Sequence, residues 1–161
     1  MSDLLSQMTL PQLGRLFPIK LVAFREAWKG MYEAERLRLI EWLGGPSIRR
    51  IEHYGSTAIP RILSKPTIDL LIHISDDLTE SRLKEILLPR GYRFMTAQTE
   101  HLMFVKGYHP WGYEETCYHL HFVHDADHPL WDGLVFRDYL IKNPDVAATY
   151  AELKQKLAHR Y

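Results

Sequence analysis

The chain has 161 residues, 46% of them hydrophobic and 12% aromatic, which suits one compact domain with its own core and argues against disorder. Lys+Arg and Asp+Glu both number 20, so the formal charge is zero, whereas an extended nucleic-acid surface calls for a basic excess. Cys117 is the single cysteine, which excludes an intrachain disulfide, and no apolar run approaches the ~20 residues that span a bilayer.

The start, Met1-Ser2-Asp3-Leu4-Leu5, lacks the regions of a signal peptide, so a cytoplasmic location is the expectation. Residues 1–18 form a short amphipathic piece with Thr9 as N-cap and Pro11 in the first turn. They are expected to be an arm, packed on the domain or serving a homodimer contact, ahead of a domain at 19–161. Residues 19–24 read as a strand, and 28–43 as a helix ended by Gly44-Gly45. Strands are expected at 48–54 and 67–74, the second apolar enough to be central, then a helix at 78–90 closed by Gly91. Strands at 92–95, 101–106 and 116–124 follow, then helices at 129–142 and 144–158. Asn143-Pro144 supplies an N-cap and a proline at the first helical position, with Val146, Tyr150, Leu153 and Leu157 as the expected buried stripe. This order lacks regular βαβ alternation and points to an α+β fold, a mixed β-sheet flanked by helices in a single domain.

The chemistry concentrates in Glu52-His53-Tyr54-Gly55-Ser56-Thr57 and Lys65-Pro66-Thr67-Ile68-Asp69. A strand runs into Gly-Ser, and an aspartate stands inside the next apolar strand. Glycine lets backbone amides approach a phosphate, and the Ser56 hydroxyl with neighbouring N–H groups can cradle an anion, with Thr57 next in the turn. Lys65 is a point charge suited to phosphate, and Asp69 could offer oxygen to a divalent metal. The bland alternative is a plain turn and an aspartate that caps a nearby amide. His119 and His121 lie two apart in a strand, so both point to one face while Leu120 and Phe122 point to the other. The bland reading of the pair is hydrogen-bonded neutral histidines. His53 and Glu52 alternate, so one of the two faces the pocket. Arg137 lacks an acid at i−4 or i+4 and is a candidate for an anion in the cleft or a pair with Asp69. Asp138 with Lys142 reads equally as a surface pair, and Lys154 is a weaker candidate. Tyr108, Trp111 and Tyr113 could stack on a base, or simply cover the core edge.

The run His53-Tyr54-Gly55-Ser56-Thr57-Ala58-Ile59-Pro60, then Lys65-Pro66-Thr67-Ile68-Asp69, resembles the signature of the GrpB (UPF0157-type) family. So do Tyr118-His119-Leu120-His121-Phe122, Leu134-Val135-Phe136-Arg137-Asp138-Tyr139-Leu140 and Tyr150-Ala151-Glu152-Leu153-Lys154. The resemblance implies the nucleotidyltransferase fold, with the Gly-Ser turn and the acidic strand at one edge of a cleft. In that fold a later strand brings a third carboxylate opposite the first pair; if 116–124 is that strand, His119 or His121 replaces it. Asp69 with the two imidazoles would then make a two-His, one-carboxylate site, suited to Zn²⁺, Mn²⁺ or Fe²⁺ more than Mg²⁺. Two departures matter. Active nucleotidyltransferases carry a second carboxylate two residues on, where this chain has Leu71, so half of a two-metal clamp is missing. Arg61 stands where the family pattern has glycine, and adds a cation at the mouth of the site.

The functional expectation is a nucleotidyltransferase-like protein that binds a nucleotide or other phosphate-bearing small molecule with a divalent metal (Mg²⁺, Mn²⁺ or Zn²⁺). Gly55, Ser56, Thr57, Lys65, Arg61 and Arg137 would meet the phosphates. Asp69, His119 and His121 would hold the metal or act as base. The alternatives are a degenerate nucleotide- or coenzyme A-binding module and a mononuclear metal-dependent hydrolase.

Overall fold

A computed structural model of the protein describes residues 7–98 and 101–158. The sheet is built outward from β2 (Thr67–Ile74), whose Ile68, Leu70, Leu71 and Ile72 are all fully buried, as a strand covered on both faces must be. β1 (Ile48–Tyr54) pairs with it antiparallel and β5 (Gly112–Val123) pairs with it parallel. β4 (His101–His109) then pairs antiparallel with β5, and β3 (Arg93–Gln98) with β4, giving the order β1-β2-β5-β4-β3.

Helices α2 (Ala27–Leu43) and α3 (Glu80–Leu87) cover one face. There Trp28, Tyr32, Leu39, Leu83 and Leu87 pack with Ile68, Leu70, Ile72, Phe104, Leu120 and Phe122. α3 starts at Thr79, whose hydroxyl accepts from the Arg82 amide, and passes at Pro89 into a 3-10 turn that ends on Gly91 at φ 85. The opposite face carries Glu52, Tyr54, Asp69, His119, His121, Met103 and Val105, aligned by strand register and alternation. On that face the first turn of α4 (Asp132–Lys142) meets β1. A Cβ at Gly133 would stand 2.2 Å from the Tyr54 ring, so a glycine lets the helix sit this low. α5 (Pro144–Ala158) follows directly. α1 (Leu10–Leu16), capped by Thr9 and Gln12, leads to Phe17, which meets Tyr108 edge-on at 5.1 Å.

Two expectations need correction. Residues 19–24 form no strand; only Val22 and Ser64 bridge, exchanging N–H···O bonds of 2.9 and 3.0 Å. An apolar run becomes a strand only where a ladder is open to it, and here the chain meets a loop. On α5 the inward face is Ala147, Tyr150 and Ala151, packed with Ile59, Ile62 and Leu140, while Val146, Leu153 and Leu157 are exposed. The two alanines let the helix approach the 59–63 segment closely, and this turns Lys154 inward to donate to the Leu63 carbonyl at 3.0 Å.

Candidate functional site

Asp69 stands opposite Tyr54 on one side and His119 on the other, near the start of β2. The turn after β1 closes on it. Gly55 has φ 75, and a Cβ there would lie 2.3 Å from Asp69 Oδ2. The Gly-Ser turn and the carboxylate are therefore in direct contact, and only glycine permits both the dihedral and the approach.

Asp69 Oδ1 lies 3.2 Å from His119 Nδ1 and 3.7 Å from His121 Nε2. One ligand atom from each of the three residues falls within 4.8 Å of the others. Four-coordinate Zn²⁺ with bonds of 2.0–2.2 Å separates its ligand atoms by roughly 3.3 Å, so the set needs little adjustment to close on an ion. The far nitrogens are also engaged. His119 Nε2 lies 2.8 Å from the Tyr108 hydroxyl, and His121 Nδ1 lies 3.1 Å from His101 Nε2. His121 Nε2, aimed at Asp69, is buried and has no hydrogen-bond partner among the described residues. Fixed outer nitrogens with inner nitrogens turned toward one carboxylate are what metal-binding histidines need.

Burial alone would push the Asp69 carboxyl up. The neighbouring His119 and His121 imidazoles outweigh it and hold the group below the usual carboxylate range. Burial depresses Lys154, against the pull of the Asp69 charge.

The other expected site residues divide. Ser56 begins the 3-10 turn Ser56–Ala58 beside Asp69. Lys65 lies 5.5 Å from the centre of the Tyr108 ring, next to His119. Glu52 shares the Asp69 face, and His53 the opposite one, where its ring stacks on Tyr32 at 4.8 Å. Thr57 is a correction: its buried hydroxyl donates to the Thr67 carbonyl at 2.8 Å and meets His53 Nε2 at 3.1 Å, so it ties the turn to β2 rather than facing an anion. Arg137 is another. It bonds to Asp138 Oδ1 at 2.7 Å and to the His53 carbonyl at 2.6 Å, with Glu52 at 3.5 Å, and no contact joins it to Asp69. Asp138 accordingly pairs with its neighbour Arg137 rather than with Lys142. Arg61 is exposed at φ 66 and borders a separate groove with Leu140, Ile141 and Ala147, away from the carboxylate. Tyr108 lies in the site, whereas Trp111 stacks on His109 at the hairpin tip and Tyr113 donates to the Pro18 carbonyl.

His101 was not among the expected residues. Strand alternation puts it in phase with Met103 and Val105, but its meeting with His121 depends on a register that shifts between Lys106 and Tyr108.

Comparison with known proteins sets this geometry in context. The family described as GrpB protein matches residues 18–161. UPF0157 protein YqkA of Bacillus subtilis is 31% identical over 159 residues, covering 97% of this chain and 45% of YqkA, so the chain spans about half the length of that relative. The crystal structure of GrpB from Enterococcus faecalis superimposes with a TM-score of 0.76 at 29% identity, covering 88% of this chain and 84% of that one. A cytoplasmic RNA terminal U-transferase superimposes with a TM-score of 0.57 at 15% identity, covering 83% of this chain and 41% of that one. At that identity the likeness is one of fold, and the fold is that of the nucleotidyltransferases.

Proposed function

This chain belongs to the GrpB family, and from that premise we propose that it binds a nucleotide or other phosphate-bearing small molecule together with one divalent metal, and transfers a nucleotidyl or phosphoryl group to an acceptor. One observation carries the reading: Asp69, His119 and His121 converge within 4.8 Å, directly beside the Gly55-Ser56 turn. The U-transferase, whose name states a nucleotide transfer, has the same fold.

Asp69, His119 and His121 would hold the ion, which would supply charge neutralisation for the phosphates. The donor set, one oxygen and two imidazoles, fits Zn²⁺ or Mn²⁺ better than Mg²⁺. Lys65 would face a phosphate oxygen from the Tyr108 side, and Lys154 would add positive charge from α5. Tyr108 and His101 would orient the two imidazoles.

Thermal stability of wild type and Asp69→Ala, with ATP, GTP, CTP or coenzyme A and with or without Mn²⁺, tests this. Ligand at ~100 times its Kd adds about 2.7 kcal/mol to stability. A Mn²⁺-dependent rise in Tm that is lost in Asp69→Ala is the expected result; no shift with any of the four ligands would overturn the reading. Leu71 favours a second reading, a binding module without turnover. It pairs with His121, is fully buried and leaves the strand without the second carboxylate of a two-metal clamp. A shift independent of Mn²⁺ and retained in Asp69→Ala would select that one.

A further inference from the structure

A cavity of about 500 Å³ lies on the His119 side of the site, between α1 and the outer strands, within the size range of small-molecule pockets. Its floor includes Met103 and Val105, which register places on the same sheet face as His121 and His119. Its roof includes Leu13 and Phe17 from α1 and the residue after it. At one end the lining changes from apolar to polar: Lys65, Tyr108 and His119 meet there.

Lys65 is the informative residue. Its ammonium has the Tyr108 ring 5.5 Å away, and among the described residues no carboxylate pairs with it. Lys65 is half-buried at the edge of the apolar chamber, where an ammonium is suited to meet the anionic head of a ligand. The chamber therefore combines a long apolar wall with a polar end at Lys65, Tyr108 and His119; Arg93 also lines it.

We propose that this cavity binds a small amphiphilic anion, an aliphatic or aromatic body lying between α1 and β4 with a carboxylate or phosphate head at Lys65. The body replaces water over Met103, Val105, Leu13 and Phe17, while the head comes within reach of the Tyr108 hydroxyl. Because His119 borders the cavity and also faces Asp69, the ligand's head sits beside the proposed metal. Its role as the acceptor rests on the transferase reading above; its binding does not.

The test uses octanoate, octyl phosphate and octanol as probes, titrated by calorimetry into the full chain without metal or nucleotide. Success or failure is thus read separately from that of the nucleotide experiment. At least one of the two anions is expected to bind wild type roughly tenfold or more tighter than octanol, the low end for a hydrogen bond to a charged group. A preference for the carboxylate or for the phosphate identifies the natural head group. Lys65→Met should bring the anions down to the level of octanol. Met103→Trp fills the chamber from the floor and Leu13→Trp from the roof, and each variant that keeps the wild-type circular dichroism spectrum should lose all three probes. Absence of binding by both anions, equal binding of octanol, or binding undiminished in the two filled variants would overturn the proposal.

Discussion

His119 and His121 differ in what stands behind them, and that difference is testable. Tyr108 holds the outer nitrogen of the first and His101 that of the second. Tyr108→Phe keeps the ring that faces Lys65 but removes the hydroxyl. It should weaken Mn²⁺ or Zn²⁺ binding by about 10- to 100-fold, the usual effect of losing an outer partner, measured by competition with a chromophoric chelator. His53 makes a different prediction. Burial pushes it down to about 4, against the pull of the Asp69 charge, whereas the unfolded chain titrates near 6.5. The unfolded state therefore takes up protons that the folded state refuses. The stabilising contribution is complete above about pH 6.5, falls as pH drops toward 4 and levels off below, amounting to at most about 3 kcal/mol. Urea denaturation at pH 7.5 and 4.5 should show a smaller loss in His53→Gln than in wild type. Alternation along β1 already opposed Glu52 to His53; which of them faced the core needed the Tyr32 ring, which belongs to another element.

At the scale of elements, the turn between β1 and β2 decides the geometry of the carboxylate. Gly55→Ala would place a methyl 2.3 Å from Asp69 Oδ2 and impose φ 75 on a residue with a side chain. The left-handed dihedral alone costs roughly 1–2 kcal/mol. We expect a loss of stability larger than that by urea denaturation, together with impaired metal binding, because Asp69 must move. β1 and β2 were legible in the sequence to the residue, since Gly and Pro punctuate the chain on either side of β1 and before β2, and β2 is a near-continuous apolar run. The meeting of His101 with His121 was not. The β4–β5 register shifts around Gly107, which stands at φ 92 and where a Cβ would lie 3.1 Å from Cys117 Sγ, and no pattern of hydrophobicity encodes that shift. The α5 stripe was misread for a related reason. Its larger apolar residues suggested the buried face, but close packing chose the alanines and drew Lys154 inward.

At the scale of the whole molecule, Asp69 and His119 come from parallel strands joined by a long crossover through α3, β3 and β4. An ion bound there would fasten β2 to β5 at the centre of the sheet, so its stabilisation belongs to global unfolding. Hydrogen exchange should show β2 and β5 amides slowing with Mn²⁺, while those of α1 stay as they were. The adjacency of these strands followed from the family resemblance and not from periodicity, because pairing across a crossover leaves no local trace. Leu71 has one more consequence. With a single acid among the three donors, a divalent cation would leave that trio with one surplus positive charge. The pocket would then attract a polyphosphate more strongly after the cation has arrived than before, which favours an order of loading with the ion first and the nucleotide second.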